Sequence, residues 1–364
     1  MTGLAGVEYT SASAWTLDVE RLLRPSWQFV CHESDLPAPG TAMRFDFCGR
    51  SAVVLRTPEL DLSALVNVCR HRGSRIVDGD PSTGLAYCID GKLRCPYHGW
   101  IYDSRGSLVQ VPREPEYPGL DRATSGLTAL EVASLDGWVF VAFDRPDRDV
   151  PASFGEWTGE LAGYECPRMR RLAEPRFTRL RANWKVVCED RLDPQAPAVT
   201  GLTRVPGRAP VAHAESGPDA VRYSADIATP DLAPWSSRTY AAQLARLTGV
   251  SEALRQRWLY GYLWPNTVFE VTPDQVVVTQ VLPLSVSESI VREVTYGLPD
   301  VSRAMRAARF LQHRLRQRSE TARARLVERV QSGLETDDHA SGLLAADEIG
   351  VRWFTTRVRS SRPA

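Results

Sequence analysis

Short apolar runs broken by glycine and proline open the chain. Residues 16 to 60 contain WQFVCHESDLPAPG and TAMRFDFCGRSAVVLRTPEL, in which apolar stretches alternate with turn formers, the pattern of short antiparallel strands. The same texture runs through residue 146 and ends in GWVFVAFDRP. The Pro- and Asp-rich stretch DRPDRDVPASF (144–154) predicts a linker. Beyond it come a helical segment, a strand in RRLAEPRFTRLRAN and a helix beginning at NWKVVCED. Further strands are expected in VRYSADIATP, TVFEVTPDQVVVTQVLPL and SIVREVTYGL. Over 300–334 the period changes. Val301, Met305, Ala308, Leu311, Leu315, Ala322, Leu326 and Val330 recur near helical spacing and predict one long helix.

That helix also carries arginines at 303, 306, 309, 314, 316, 318, 323, 325 and 329. A nucleic-acid surface would need groove-reading partners and a basic excess. The chain has none of that excess: Lys+Arg and Asp+Glu stand at 44 each among 364 residues. A solvated polar face, with Glu320 and Glu328 interleaved, is the expectation. Balanced charge also removes a field that would recruit nucleic acid or an anionic membrane. No apolar run approaches the ~20 residues of a membrane span. The N-terminus MTGLAGVEYTSASAW lacks the basic and apolar regions of a secretory signal. Seven unevenly spaced cysteines argue against a disulfide framework, so a cytoplasmic protein with free or metal-bound thiols is expected.

The strongest chemical signal is VNVCRHRG (66–73) followed by LRCPYHGWIYD (93–103). Cys69 and His71 on one loop, Cys95 and His98 on the other, offer two thiolates and two imidazoles. Such a set could hold a structural zinc or a 2Fe–2S cluster with both imidazoles on one iron. Each loop gives one Cys and one His, whereas zinc pairs usually keep like ligands together, which favours the cluster. Two neutral imidazoles in place of two thiolates raise its potential to roughly −150 to +300 mV, suited to relaying electrons from a reductase to an oxidising centre. The CRHRG and CPYHGWxYD strings resemble the Rieske domain of the Rieske non-haem iron oxygenases. Gly73 and Gly99 fit loops that pass close to the cluster, and Pro96 stiffens the second. The 23 residues between the loops (72–94) exceed the family's usual gap; the surplus near DGDPSTGLAYC is expected to extend a hairpin, with Cys88 a strand thiol.

The resemblance to the oxygenase α subunit extends over nearly the whole chain, through the NWK helix, YLWPNTVFEVTPDQVVVTQVLPL and VERVQSGL. It implies an α+β fold: an N-terminal segment (1–20), an antiparallel β Rieske domain (21–150) and a helix-grip domain (151–364). In the family the last domain holds one Fe(II) on two His and one carboxylate. The family pattern is N-W-K, then E-N-x-x-D-x-x-H-x-x-x-x-H. Registering N-W-K places Glu189 and Asp190 on the E-N pair and Asp193 on the following Asp. The histidine positions then fall on Ala196 and Gly201, and counting back from Val330-Gln331-Ser332-Gly333-Leu334 puts the carboxylate on Arg323. None of the three can donate an electron pair to iron.

Among the remaining histidines, His213 is the one substitute near these positions; His32, His313 and His339 are expected to be solvated or locally hydrogen-bonded. Glu320 lies one turn before Arg323 and could stand in for the carboxylate if the register slipped. Because Arg323 shares a helix face with Leu326 and Val330, it is expected to point inward and pair with Asp190, Asp193 or Glu189. Asp193, by the resemblance, is a possible electron-transfer bridge between subunits.

The expected protein is therefore an α-like subunit with a 2Fe–2S cluster and no mononuclear Fe(II). It would act beside a homologous catalytic α subunit in a trimer or hexamer, with a ferredoxin or flavin reductase as donor. Its rivals are an active oxygenase with unusual iron ligands and a stand-alone Rieske electron carrier.

Overall fold

The computed structural model describes residues 1–80, 82–88, 91–193, 213–227, 235–247, 251–299, 302–336 and 339–361. The chain divides into two units, Arg24–Val150 and Met1–Leu23 together with Pro151–Ala364.

The unit Arg24–Val150 is antiparallel β. Its strands are β1 (Gln28–His32), β2 (Thr41–Phe47), β3 (Arg50–Arg56), β4 (Leu62–Val66), β5 (Leu85–Tyr87), β6 (Leu93–Arg94), β7 (Ile101–Tyr102), β8 (Leu108–Gln110), β9 (Glu131–Leu135) and β10 (Trp138–Ala142). They form sheets ordered β4-β3-β2-β5, β6-β7-β8 and β1-β10-β9. The core joins Val53, Leu55 and Leu65 of the first sheet to Leu93, Tyr102 and Leu108 of the second, and takes in Cys69, Cys95 and Trp100. The long segment between the two Cys/His loops supplies β5, which pairs with β2 through Thr41 opposite Tyr87 and Met43 opposite Leu85. Cys88 follows this strand, its N–H donating to Gly40 O at 2.7 Å, so it is a sheet-edge thiol.

The second unit contains helices α1 (Gly6–Thr10), α2 (Ala12–Leu17), α3 (Val150–Phe154, its first residue in the other unit), α4 (Trp157–Leu161), α5 (Trp184–Leu192), α6 (Trp235–Leu244), α7 (Arg303–Leu334) and α8 (Ile349–Ser360). Its strands are β11 (Arg170–Arg171), β12 (Arg176–Leu180), β13 (His213–Ser216), β14 (Ala220–Asp226), β15 (Arg257–Leu263), β16 (Thr267–Thr272), β17 (Gln275–Ser285) and β18 (Glu288–Gly297). They make one antiparallel sheet, β11-β18-β17-β16-β15-β14-β13, with β12 also on β18. Successive residues of a strand point to opposite faces, and both faces are covered here. Phe269 packs edge-on against Phe154 and Trp157, with ring centroids 5.6 Å apart in each case. Its neighbour Glu270, on the opposite face, is ion-paired to Arg316 of α7.

The long helix is present as α7, capped by Ser302, whose hydroxyl accepts from Met305 N at 3.2 Å. Its buried stripe differs from the expected one. Leu326 and Val330 are 37% and 52% exposed, while Glu320, Arg323, Val327, Gln331 and Leu334 are buried. The expectation of a solvated arginine face is corrected too. Arg303, Arg306, Arg314, Arg318, Arg325 and Arg329 are exposed, but Arg309, Arg316 and Arg323 turn inward. Arg309 donates to the Asp274 and Leu298 carbonyls at 3.1 and 2.8 Å. Among the described residues no helix is long and apolar enough to cross a membrane.

Candidate functional site

Two loops of the β unit are built alike. In the first, Cys69 N–H donates to Ser74 O at 2.8 Å and Gly73 N–H returns to Cys69 O at 3.0 Å. In the second, Cys95 N–H donates to Trp100 O at 2.8 Å and Gly99 N–H to Cys95 O at 3.1 Å. Gly73 and Gly99 hold φ of +73° and +74°, a left-handed conformation that costs other residues about 1–2 kcal/mol. Each loop thus turns back on its own cysteine and presents the histidine between. The His71 and His98 rings lie 4.6 Å apart, and both cysteines are 2% exposed. His71 stacks on Trp100 at 4.9 Å, and its Nδ1 is buried with no hydrogen-bond partner. Burial, then the neighbouring His98 and Arg72, hold its imidazole below the ordinary histidine range. Tyr102 reaches in from β7: its hydroxyl lies 3.3 Å from Cys69 Sγ and accepts the Arg70 N–H at 3.1 Å.

In the second unit the N-W-K stretch is a structural hub. Asn183 caps α5, its side chain accepting from Lys185 N at 2.9 Å. Its Nδ2 donates to Tyr9 O and Val286 O, and its N–H to Gln331 Oε1 at 2.8 Å. Trp184 Nε1 donates to Asp18 Oδ2 at 3.0 Å, and Lys185 forms an ion pair with the same carboxylate, both charges fully buried. Three residues therefore tie the N-terminal segment, the β17–β18 turn and α7 to one helix start. Neither Asp18 nor Tyr9 was marked by the sequence pattern. Each lies far along the chain from its partner on α5.

At its other end α5 meets α7 through two crossed ion pairs. Arg323 donates from Nε to Asp190 Oδ2 at 3.2 Å and from Nη2 to Asp190 O at 2.6 Å, and Nη2 lies 2.7 Å from Asp190 Oδ1. Arg191 Nη2 is 2.5 Å from Glu320 Oε2, both side chains about 5% exposed. Arg323 thus points inward as expected, and Asp190 is its partner. Glu189 instead accepts from Tyr9 Oη at 2.8 Å, and Glu320 is engaged by Arg191. The last carbonyls of α5 are held from outside: Asp190 O by Arg323, Arg191 O by Tyr260 Oη at 2.7 Å and Leu192 O by Tyr223 Oη at 2.6 Å. A helix end leaves such carbonyls without intrahelical partners, so these donors fix where α5 stops. Asp193 follows as its C-cap. Between α5, α7 and the β12–β18 edge lies a cavity of about 350 Å³.

Ala196 and Gly201 lie outside the described residues, as does the His213 side chain; the His213 backbone pairs with Ser224 in the sheet. His32 is buried, its Nδ1 2.9 Å from Ser34 Oγ, while His313 and His339 are exposed. Among the described residues no three His, Cys, Asp or Glu side chains are gathered around one metal position. A 2Fe–2S cluster does not require that, since each of its irons takes two protein ligands.

Residues 26–130 match the family model described as Rieske [2Fe-2S] domain, and residues 203–362 that of ring hydroxylating alpha subunit (catalytic domain). Chlorobenzene dioxygenase subunit alpha of Cupriavidus sp. (strain PS12) is 33% identical over 150 residues, 41% of this chain and 32% of that protein. The carnitine monooxygenase oxygenase subunit of Acinetobacter pittii (strain PHEA-2) is 29% identical over 189 residues, 51% of this chain and 49% of that protein. The matches thus span from about a third to about half of the length of these relatives. The fold is that of a quaternary ammonium Rieske monooxygenase in complex with an inhibitor, with TM-score 0.82 at 18% identity over 100% of this chain and 96% of that one. Naphthalene 1,2-dioxygenase from Rhodococcus sp. gives 0.74 at 18% identity, over 99% and 94%. A Rieske domain implies a 2Fe–2S cluster. With that domain followed by a ring-hydroxylating catalytic domain, the chain belongs to the Rieske oxygenase α-subunit family.

Proposed function

We propose that this chain is a cluster-carrying α-type subunit without an oxygen-activating iron of its own. It works beside a homologous, catalytically competent α subunit in a trimer or hexamer, fed in the cytoplasm by a ferredoxin or flavin reductase. The observation that carries this reading is the Arg323–Asp190 pair. The resemblance assigns the iron carboxylate to position 323, and a guanidinium has N–H donors but no lone pair for a metal. The neighbouring Arg191–Glu320 pair engages the carboxylate one turn before position 323, which the sequence offers as a stand-in. Ala196 and Gly201 offer no donor side chain at the two histidine positions.

The donor set of the other unit suits a 2Fe–2S cluster on Cys69, His71, Cys95 and His98. The unpartnered Nδ1 of His71 and the two buried thiols are supported by loops that leave no side chain at Gly73 and Gly99. Such a group, when bound, supplies one-electron transfer at a raised potential. Around it Tyr102 donates toward Cys69 Sγ, Trp100 fixes the His71 ring plane, and the two loops exclude water from the thiols. In the second unit the ion pairs hold α5 against α7 and keep the pocket closed to metal chemistry. Asp193, at the end of α5, would mark where the neighbouring subunit's Rieske unit approaches.

Iron and acid-labile sulfide counted on the purified full chain test the reading. Two irons and two sulfides per chain are expected, together with co-purification of a homologous α subunit when the two are co-expressed. A third iron per chain, with O₂-dependent turnover by the isolated chain, overturns it.

A further inference from the structure

The side chain of Arg191 is 5% exposed, with only its Nη2 in the ion pair to Glu320. Its Nε and Nη1 are buried without a hydrogen-bond partner. That leaves three N–H donors on a residue lining the cavity of about 350 Å³. Buried donors of this kind are nearly always satisfied, and such a volume suits a small organic molecule better than a single water. The charged groups on the wall are four guanidiniums and three carboxylates; Glu320, Asp190 and Glu293 are paired with Arg191, Arg323 and Arg176, and Arg325 is exposed. The rest of the wall is largely apolar, with Phe177, Val187, Val291 and Val327. Phe177 is 47% exposed at the rim, so the cavity has a side toward solvent.

We propose that this cavity binds a small organic monocarboxylate. Its carboxylate takes the free N–H donors of Arg191, and its apolar body lies against Phe177, Val187 and Val291. A carboxylate brings two charged acceptor oxygens to the three free donors of Arg191 where a neutral amide brings one weaker acceptor, and a dianion would meet the three wall carboxylates. Binding here needs no iron, so this inference and the reading of the chain as a non-catalytic subunit fail separately.

Calorimetric titration of the full chain with benzoate and hexanoate, one flat and one flexible, tests it. Benzamide serves as the neutral counterpart of benzoate and inorganic phosphate as the dianion. Saturable binding of at least one monocarboxylate is expected, with a rise in Tm. Benzamide and phosphate should bind at least about tenfold more weakly, the size of one charge-assisted hydrogen bond. The double variant Arg191→Gln/Glu320→Gln removes both charges, so neither is left buried alone, and it should lose the response by about tenfold or more. Ala324→Leu leaves both ion pairs intact and fills the cavity from α7, so it should lose binding too if the double variant does not fold. Absence of saturable binding by both monocarboxylates, equal binding of benzamide, or unchanged binding by Ala324→Leu would each overturn the proposal.

Discussion

Arg323 holds Asp190 twice, once by its carboxylate and once by its backbone carbonyl, at 2.7 and 2.6 Å. The contact therefore neutralises a partly buried charge and also caps the negative end of α5. Arg191 and Glu320 make the reciprocal pair one step away. The partners run in opposite senses along the two helices, so the four residues act as a register clamp between α5 and α7.

Removing one partner of a buried pair costs more than the pair contributes, because the other charge stays behind. Arg323→Ala should lower stability by about 3–5 kcal/mol in urea unfolding. Arg323→Ala/Asp190→Ala should recover part of that loss. Equal stability of the single variant and the wild type would mean that Arg323 clamps nothing.

The end of α5 is also set by close approach from α8. A Cβ on Gly350 would collide with the Tyr223 hydroxyl and stand 2.6 Å from Leu192 O. Gly350→Ala must push α8 away or break the Tyr223–Leu192 hydrogen bond of 2.6 Å. A loss of about 1–3 kcal/mol is expected from overpacking alone, read as a lower Tm. A Gly350→Ala chain as stable as the wild type would show that α8 is not held at this distance.

Much of this was legible in the sequence, for reasons that differ by element. The two Cys/His loops carry their donors in a recognisable local spacing, and the packing of the two sheets around Cys69 and Cys95 brings those donors together. The long helix announced itself by period, yet an apolar count rotated its inner face. Glu320, Arg323 and Gln331 occupy the buried stripe, which an apolar pattern scores as solvent. That Arg323 would find an acid on α5 could be argued from charge. That Arg191 would find Glu320 could not, because the match depends on how two distant helices cross. Likewise N-W-K carries a visible motif, but its partners Tyr9, Asp18 and Gln331 appear only once the chain folds back on itself.

Glu189 makes stability depend on pH. Burial pushes its carboxyl from 4.5 up to about 7, although the Tyr9 hydrogen bond and Lys185 pull it down; Glu8 and Glu348 add to the rise. A folded value above the unfolded one means stability that is fully present below about pH 4.5 and lost as pH rises through 7. Glu189→Gln removes that titration. The wild type minus Glu189→Gln difference should fall by on the order of 1–3 kcal/mol between about pH 4.5 and 8. A difference that rises with pH would put the sign, and the burial argument behind it, in error.

Tyr102 offers a measurement on the other unit. Its hydroxyl lies 3.3 Å from Cys69 Sγ and is itself oriented by the Arg70 N–H at 3.1 Å. A hydrogen bond donated to a cluster-bound sulfur stabilises the more negative, reduced state, and hydrogen bonds to the sulfurs are among the factors that set the potential. Tyr102→Phe deletes the donor while keeping the ring in its buried place. One net hydrogen bond of about 1 kcal/mol corresponds to roughly 40 mV in a one-electron couple. The cluster potential of Tyr102→Phe, measured by protein-film voltammetry, should therefore be lower by about that amount, with iron and sulfide per chain unchanged. A potential equal to the wild type at full cluster content would show that the hydroxyl is turned away from the sulfur. Loss of the cluster would instead make Tyr102 a positioning residue for the first loop, and Arg70 N–H, left without its acceptor, would be the cause.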